Sequence, residues 1–244
     1  MIELFSAAAE LEGRSPEAVL SWAYRTFGRV ALVSSFQVES SVLIHMASRL
    51  IEQPEVLTVD TGRLPEETHE IMDLVQRRYP IRLNVLTPQP EDVAQLVADG
   101  GPFLFRSSVE ARERCCEVRK VAPLARALAG FDAWVTGLRR DQSGNRSGTP
   151  VVQADAKHGG IAKIAPLATW TRDQVWAYVR ANGLDYYGLY DRGYRSIGCA
   201  PCTRAVAPDE DERAGRWWWE ESGVKECGLH VTDSEVARAR RAER

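Results

Sequence analysis

Val30–Ser41 reads VALVSSFQVESS, and this stretch decides the fold. Its first residues form a short apolar run with β-branched valines, as expected of a strand buried on both faces (Val30–Ser34). Serines break the run, and a helical stripe of Val42, Leu43, Met46 and Leu50 then predicts a helix over Glu39–Ile51. The same alternation extends outward. Upstream, Ser15 and Pro16 mark the start of a helix over Ser15–Phe27. Downstream come a strand at Glu55–Val59, a helix at Pro65–Tyr79 with two acids in its first turn, and a strand at Arg82–Leu86. Helices follow at Pro90–Ala98 and Val109–Leu128, the second interrupted near Pro123. A fourth strand is expected at Ala133–Thr136, and a helix capped by Thr171 runs to Ala181. Strands alternating with helices imply an α/β fold, a parallel twisted sheet with helices on both faces, whose ligands bind beyond the carboxyl ends of the strands.

After Asn182 the pattern changes to a Gly-, Tyr- and Pro-rich stretch that reads as a shaped loop, followed by a helix predicted at Asp209–Glu221. Residues 1–222 form the expected α/β domain, and 223–244 a mobile C-terminal tail with little to bury. The chain has 244 residues and a net charge of −3, so no global basic field points to nucleic acid or an anionic membrane. No apolar run is long enough to cross a bilayer, and the N-terminal MIELFSAAAELEG lacks the basic region of a signal peptide. A cytoplasmic protein with reduced thiols is expected, and the sequence leaves homo-oligomerisation open.

Three strand ends carry polar loops. The first, SSFQVESS, contributes Ser34, Ser35, Phe36, Ser40 and Ser41 at a helix N-terminus, where backbone amides and the helix dipole can seat an anion; a serine-rich cap explains the same residues. It has no glycine, so neither G-x-x-x-x-G-K-[ST] nor G-x-G-x-x-G is matched. The second, TVDTGRLPEET, places Asp60, Thr61, Gly62 and Arg63 beside it. The third, TGLRRDQSGNRS, carries Gly137, Arg139, Arg140 and Arg146, and guanidinium forks match phosphate and sulfate oxygens. Three such loops on one sheet edge favour a nucleotide site over solvated basic loops.

The five cysteines divide into an adjacent pair, Cys115–Cys116, a C-x-x-C, Cys199 and Cys202, and a lone Cys227 in KECGLH. Adjacent cysteines suit separated corners of an iron–sulfur cubane, while zinc usually takes two C-x-x-C knuckles; spacing leaves both metals open. Cys227 stands between Lys225 and His230, and a thiol near cations is the better nucleophile. His45, His69 and His158 receive no role.

Together SSFQVESS, VDTGRLPEET, CCEVRK, TGLRRDQSGNRS, RGYRSIGCAPCTR, ERAGRWWWEES and KECGLH resemble the sulfonucleotide reductases of assimilatory sulfate reduction, in particular their cluster-bearing adenylyl-sulfate branch. The resemblance runs from about Val30 to Val231. The first loop departs from the S-G-G-x-D-S of the related PP-loop ATP pyrophosphatases of the adenine nucleotide alpha hydrolase-like fold, which fits loss of ATP cleavage. The resemblance implies a [4Fe–4S] cluster on Cys115, Cys116, Cys199 and Cys202, with Lys120 near it. It implies a substrate site built from the three loops, Gly137 near the adenosine, and Arg213 and Arg216 on the phosphosulfate. Cys227 is implied as nucleophile, with His230 close by. The implied reaction takes adenylyl sulfate to sulfite and AMP through an S-sulfocysteine that thioredoxin or a similar thiol resolves. A 3′-phosphoadenylyl-sulfate reductase, or a metal-bearing nucleotide sensor without turnover, are the alternatives. Members using the 3′-phosphorylated substrate usually lack the four cluster cysteines, and a sensor has no need of KECGLH.

Overall fold

The computed structural model describes residues 4–220, Glu226, Gly228 and Leu229. Two helices, α1 (Leu4–Leu11) and α2 (Pro16–Thr26), precede the first strand. Ser15 caps α2 by accepting from the Ala18 amide at 3.3 Å. Then β1 (Val30–Val33), α3 (Val38–Leu50), β2 (Glu55–Val59), α4 (Glu66–Arg78) and β3 (Arg82–Leu86) alternate as the sequence pattern requires. Next come α5 (Pro90–Gly100), α6 (Val109–Cys116), α7 (Ala122–Leu128), β4 (Ala133–Val135), a hairpin of β5 (Val152–Asp155) and β6 (Ile161–Ile164), and α8 (Arg172–Ala181). Sequence reading missed α1 and the hairpin.

The sheet order is β3-β2-β1-β4-β6-β5, parallel throughout except for the antiparallel β5–β6 pair at one edge. Strands face two cores by simple alternation. Val30 and Leu32 join α2, α3 and α8 on one face, while Ala31 packs with Leu124, Leu128 and Trp134 under α7 on the other. From β1 the chain first builds outward to β2 and β3, then crosses to β4 on the opposite side. The order therefore reverses between β1 and β4, and a crevice opens beyond their carboxyl ends.

Two local features set up that crevice. Phe36, expected among the substrate contacts, is instead fully buried, with φ of 56° just after β1. A bulky residue in the left-handed region is strained, and its burial in the main core holds it there. Between α6 and α7, Glu117–Val121 form a π-helical turn. Pro123 explains it: its ring would clash with the carbonyl of Arg119 in a regular α-helix and it donates no hydrogen bond, so the turn widens.

The helix expected at Asp209–Glu221 does not form in its described part, which consists of turns. The Asp211 carboxylate accepts from the Arg213 amide at 2.8 Å, an Asx turn that competes with helix. The chain then pairs with the cysteine loop, Arg204 donating to the Gly215 carbonyl at 3.0 Å and Trp217 to the Cys202 carbonyl at 3.2 Å. A Cβ on Gly215 would lie 2.3 Å from the Arg204 carbonyl oxygen, so only glycine permits this approach. Of the expected tail, Glu226 is buried against the main body; Cys227 and His230 lie outside the described residues.

Because Phe36 is a core side chain, Phe36→Ala is expected to lower unfolding free energy by about 3–5 kcal/mol in urea titration. A loss under about 1 kcal/mol would return this residue to a surface role.

Candidate active site

The β1–β4 crevice opens into a cavity of about 1050 Å³, including its open mouth. Ser34, Ser35 and Ser40 from the β1–α3 turn line one side, and Gly137 and Leu138 after β4 line the other. The turn holds itself in shape. Ser34 Oγ accepts from the Phe36 amide at 3.0 Å, Ser40 Oγ from the Ser35 amide at 3.2 Å, and the Tyr187 hydroxyl donates to the Ser35 carbonyl at 2.6 Å. The serine hydroxyls thus use a lone pair on the loop and keep an O–H to donate.

Of the basic residues singled out in the sequence, Arg146, Arg213, Arg216 and Lys120 line this cavity. Arg139 and Arg140 do not. Arg139 is buried, donating to Glu39 at 3.0 Å and bound to Asp141, with Glu212 at 3.4 Å. Arg140 reaches back to Glu12 at 2.7 Å and to the Thr149 carbonyl at 2.9 Å, tying α1 to the loop after β4. Asp60 bonds His69 at 3.1 Å and the Gly62 amide at 2.8 Å, and neither Asp60 nor Gly62 is among the lining residues.

A second cavity, of about 410 Å³ including its open mouth, adjoins the first. Cys115, Cys116, Cys199 and Cys202 all line it, joined by Thr61, Arg63, Arg112, Arg119 and Trp217. Lys120 and Arg216 line both cavities and form their shared wall. The four thiols are free, not paired as disulfides. Thr61 Oγ1 is 3.2 Å from Cys199 Sγ. Burial, opposed by Arg119, pushes the Cys115 thiol up, and burial together with Cys199 pushes Cys202 up to about 12. Arg216 and Lys120 pull Cys202 the other way, and Arg112 faces Cys116.

This cavity has the donors for a large anionic group. Arg119 Nε, Arg216 Nε and Trp217 Nε1 are all buried without a hydrogen-bond partner, and all three residues line it. Unsatisfied buried donors are rare because each costs about 1–3 kcal/mol. Arg112 and Arg216 lie over the Trp217 ring, 4.7 and 4.6 Å from its centroid. Arg216 also packs against Gly198, where a Cβ would lie 2.3 Å from Nη2. Among the described residues, no group of three or more Cys, His, Asp or Glu is drawn together tightly enough for a single metal ion.

Sequence reading passed over Gln142, Glu39 and Glu226, each inside a motif it had picked out. Gln142 donates to Glu39 at 3.1 Å and accepts from Arg146 at 2.6 Å, linking the buried Arg139 network to the cavity. Glu226 pairs with Arg146 at 2.8 Å and Arg213 at 3.2 Å. Leu229, two residues after Cys227, lines the first cavity itself.

A model of the phosphoadenosine phosphosulfate reductase domain matches residues 29–205. An adenosine 5′-phosphosulfate reductase of Allochromatium vinosum is 46% identical over 212 residues, 87% of this chain and 82% of that protein. The enzyme of the same name from Pseudomonas aeruginosa is 43% identical over 234 residues, 94% of this chain and 87% of its own. Among solved structures, a phosphoadenylyl-sulfate reductase of Candida auris superposes with a TM-score of 0.71 at 27% identity, covering 84% of this chain and 98% of that one. Yeast FAD synthetase, at 14% identity and a TM-score of 0.55 over 84% of this chain and 69% of its own, shares the fold alone.

Burial and the neighbouring Glu39 push the Glu212 carboxyl up to about 7, despite Arg139. A carboxyl raised on folding binds its proton more tightly in the folded state, so its contribution to stability is present below the ordinary value and is lost as pH rises through about 7. Glu212→Gln, which stays neutral, is therefore expected to gain melting temperature relative to the parent between pH 5 and pH 8, as roughly the window of that titration. A difference that stays flat across this range would show that Glu212 titrates normally.

Proposed function

The chain belongs to the phosphoadenosine phosphosulfate reductase domain family, and from that premise we propose that it reduces adenosine 5′-phosphosulfate to sulfite and AMP for sulfate assimilation. The observation that carries this reading is that, on either side of Cys227, Leu229 lines a cavity shared with Arg146, Arg213, Arg216 and Lys120, and Glu226 pairs with two of those arginines.

In this reading the adenosine lies along the β1–β4 crevice against Gly137, and the phosphosulfate extends toward Arg146, Arg213 and Arg216. The Cys227 thiolate attacks the sulfuryl sulfur. The bond from that sulfur to the phosphate oxygen breaks, its electron pair leaves with AMP, and an S-sulfocysteine remains on Cys227. Charge grows on the departing phosphate, and arginines already in place stabilise it without reorganisation. His230 is assigned to the same step. A protein dithiol such as thioredoxin then attacks Cys227 Sγ and expels sulfite. Its second thiol resolves the mixed disulfide, so the dithiol supplies both electrons. A reducing compartment, the cytoplasm, suits this chemistry.

Cys115, Cys116, Cys199 and Cys202 are proposed to hold a [4Fe–4S] cluster in the second cavity. The donor set fits: four free thiols, cations from Arg112, Arg119, Arg216 and Lys120, and three N–H groups awaiting acceptors. When bound, the cluster supplies order to the cysteine loop and negative charge beside the shared wall. Lys120 and Arg216, which line both cavities, would supply positive charge toward both groups.

Sulfite release with reduced thioredoxin, measured for adenosine 5′-phosphosulfate and its 3′-phosphorylated analogue, tests the function. Release from the first substrate is expected, and its loss in Cys227→Ser with nucleotide binding intact. Near-normal turnover in that variant would sink the mechanism. For the metal, Cys199→Ser or Cys202→Ser is expected to lose iron and melting temperature together. Full iron occupancy in either variant would refute the ligand assignment, and zinc in place of iron in the parent would refute the cluster.

A further inference from the structure

Glu226 stands in the chain directly before Cys227 and is only 6% exposed. Its carboxylate occupies the cavity arginines: Oε1 accepts from Arg146 Nε at 2.9 Å, and Oε2 accepts from Arg146 Nη2 at 2.8 Å and from Arg213 Nη2 at 3.2 Å. The last nitrogen of Arg146, Nη1, already donates to Gln142 at 2.6 Å. Its guanidinium is therefore engaged on every nitrogen. The Nε–Nη2 edge that Glu226 takes is the fork that phosphate and sulfate oxygens also use. Backbone contacts hold Glu226 in register. Its carbonyl accepts from Arg112 Nη1 at 2.7 Å, and the Gly228 carbonyl from Lys157 Nζ at 3.1 Å.

Two anions cannot share one fork. A phosphosulfate arriving at Arg146 meets an ionised carboxylate there. Burial pushes the Glu226 carboxyl up, but Arg213 and Arg146 outweigh it and hold it below the usual range. Without some anion, two largely buried guanidiniums would repel each other, and the Nε–Nη2 edge of Arg146 would lose its carboxylate. We infer that Glu226 is a positioning residue that stands in for the substrate: its carboxylate keeps the Arg146–Arg213 pair matched and in place in the free enzyme, and the phosphosulfate oxygens displace it on binding. The inference rests on the reading of these arginines as the phosphosulfate grip. It means that substrate affinity is the difference between two anions competing for one seat, so the enzyme binds its substrate less tightly than the bare arginine pair would.

The test is equilibrium binding of adenosine 5′-phosphosulfate to full-length Cys227→Ser, which blocks turnover, and to the same protein carrying Glu226→Gln as well. The amide cannot hold the arginine pair as an anion does, so the double variant is expected to bind at least ten-fold more tightly. A second readout guards against a folding defect. Low-millimolar sodium sulfate, compared with sodium chloride at equal ionic strength, is expected to raise the melting temperature of Glu226→Gln more than that of its parent, because sulfate refills the seat. If Cys227→Ser binds the nucleotide but Glu226→Gln leaves affinity unchanged or weakens it, Glu226 merely orients the arginines and the inference is overturned. Equal response of both proteins to sulfate also overturns it. If neither protein binds the nucleotide, the functional reading itself fails.

Discussion

A guanidinium taken out of water must find an anion, and this requirement organises the whole region beyond the sheet. Losing the partner of a buried charge costs about 3–5 kcal/mol, a large part of the stability of any domain. Arg139 and Arg112 are each 1% exposed and are answered by the protein itself, through Glu39 and Glu220. Arg146 and Arg213 are answered by Glu226. Arg119 and Arg216 each keep a buried Nε with no partner, and both residues line the cysteine cavity. The molecule thus divides its buried guanidiniums into those answered by its own carboxylates and those that keep a nitrogen without a partner. Within one loop, Arg139 is buried against Glu39 while Arg146 lines the cavity.

The sheet decides where this happens. Reversal of strand order at β1 and β4 leaves a crevice that neither neighbouring connection covers. The β1–α3 turn, fixed by its own serines and by strained Phe36, supplies one wall; the loop after β4 supplies the other. The π-helical turn brings Arg119 and Lys120 to the cysteine side, where Arg119 Nη1 donates to the Thr61 carbonyl at 2.8 Å. Pairing of the Gly215 segment with the C-x-x-C loop delivers Arg216 to the shared wall. The two cavities thereby meet across two side chains, Lys120 and Arg216.

The parallel strands and their helices were legible because buried strands and amphipathic helices leave strong periodic signals, and each predicted strand lies within a residue of the observed one. The β5–β6 hairpin was not, since Gln153, Asp155 and Lys163 interrupt short runs whose turn signal, Gly159–Gly160, stood in what read as a loop. The false helix at Asp209–Glu221 had helical composition, but an Asx turn and a long-range backbone pairing overrode it. Within the site, motif and spacing singled out the four cysteines and Arg146 that the structure places on the two cavities. Arg140 could not be sorted from Arg146 in the same way, because its partner Glu12 lies 128 residues away. Glu226 was hidden by its neighbour: a carboxylate beside a nucleophile carries no spacing signal of its own.

In the proposed function the two cavities act as one electrostatic unit through Lys120 and Arg216. Mössbauer spectra of the iron-loaded protein, recorded with and without saturating adenosine 5′-phosphosulfate, test it most directly. A change in the iron signal on nucleotide binding, lost when Lys120 is replaced by alanine, is the predicted result. Iron spectra indifferent to bound nucleotide in the unaltered protein would contradict it.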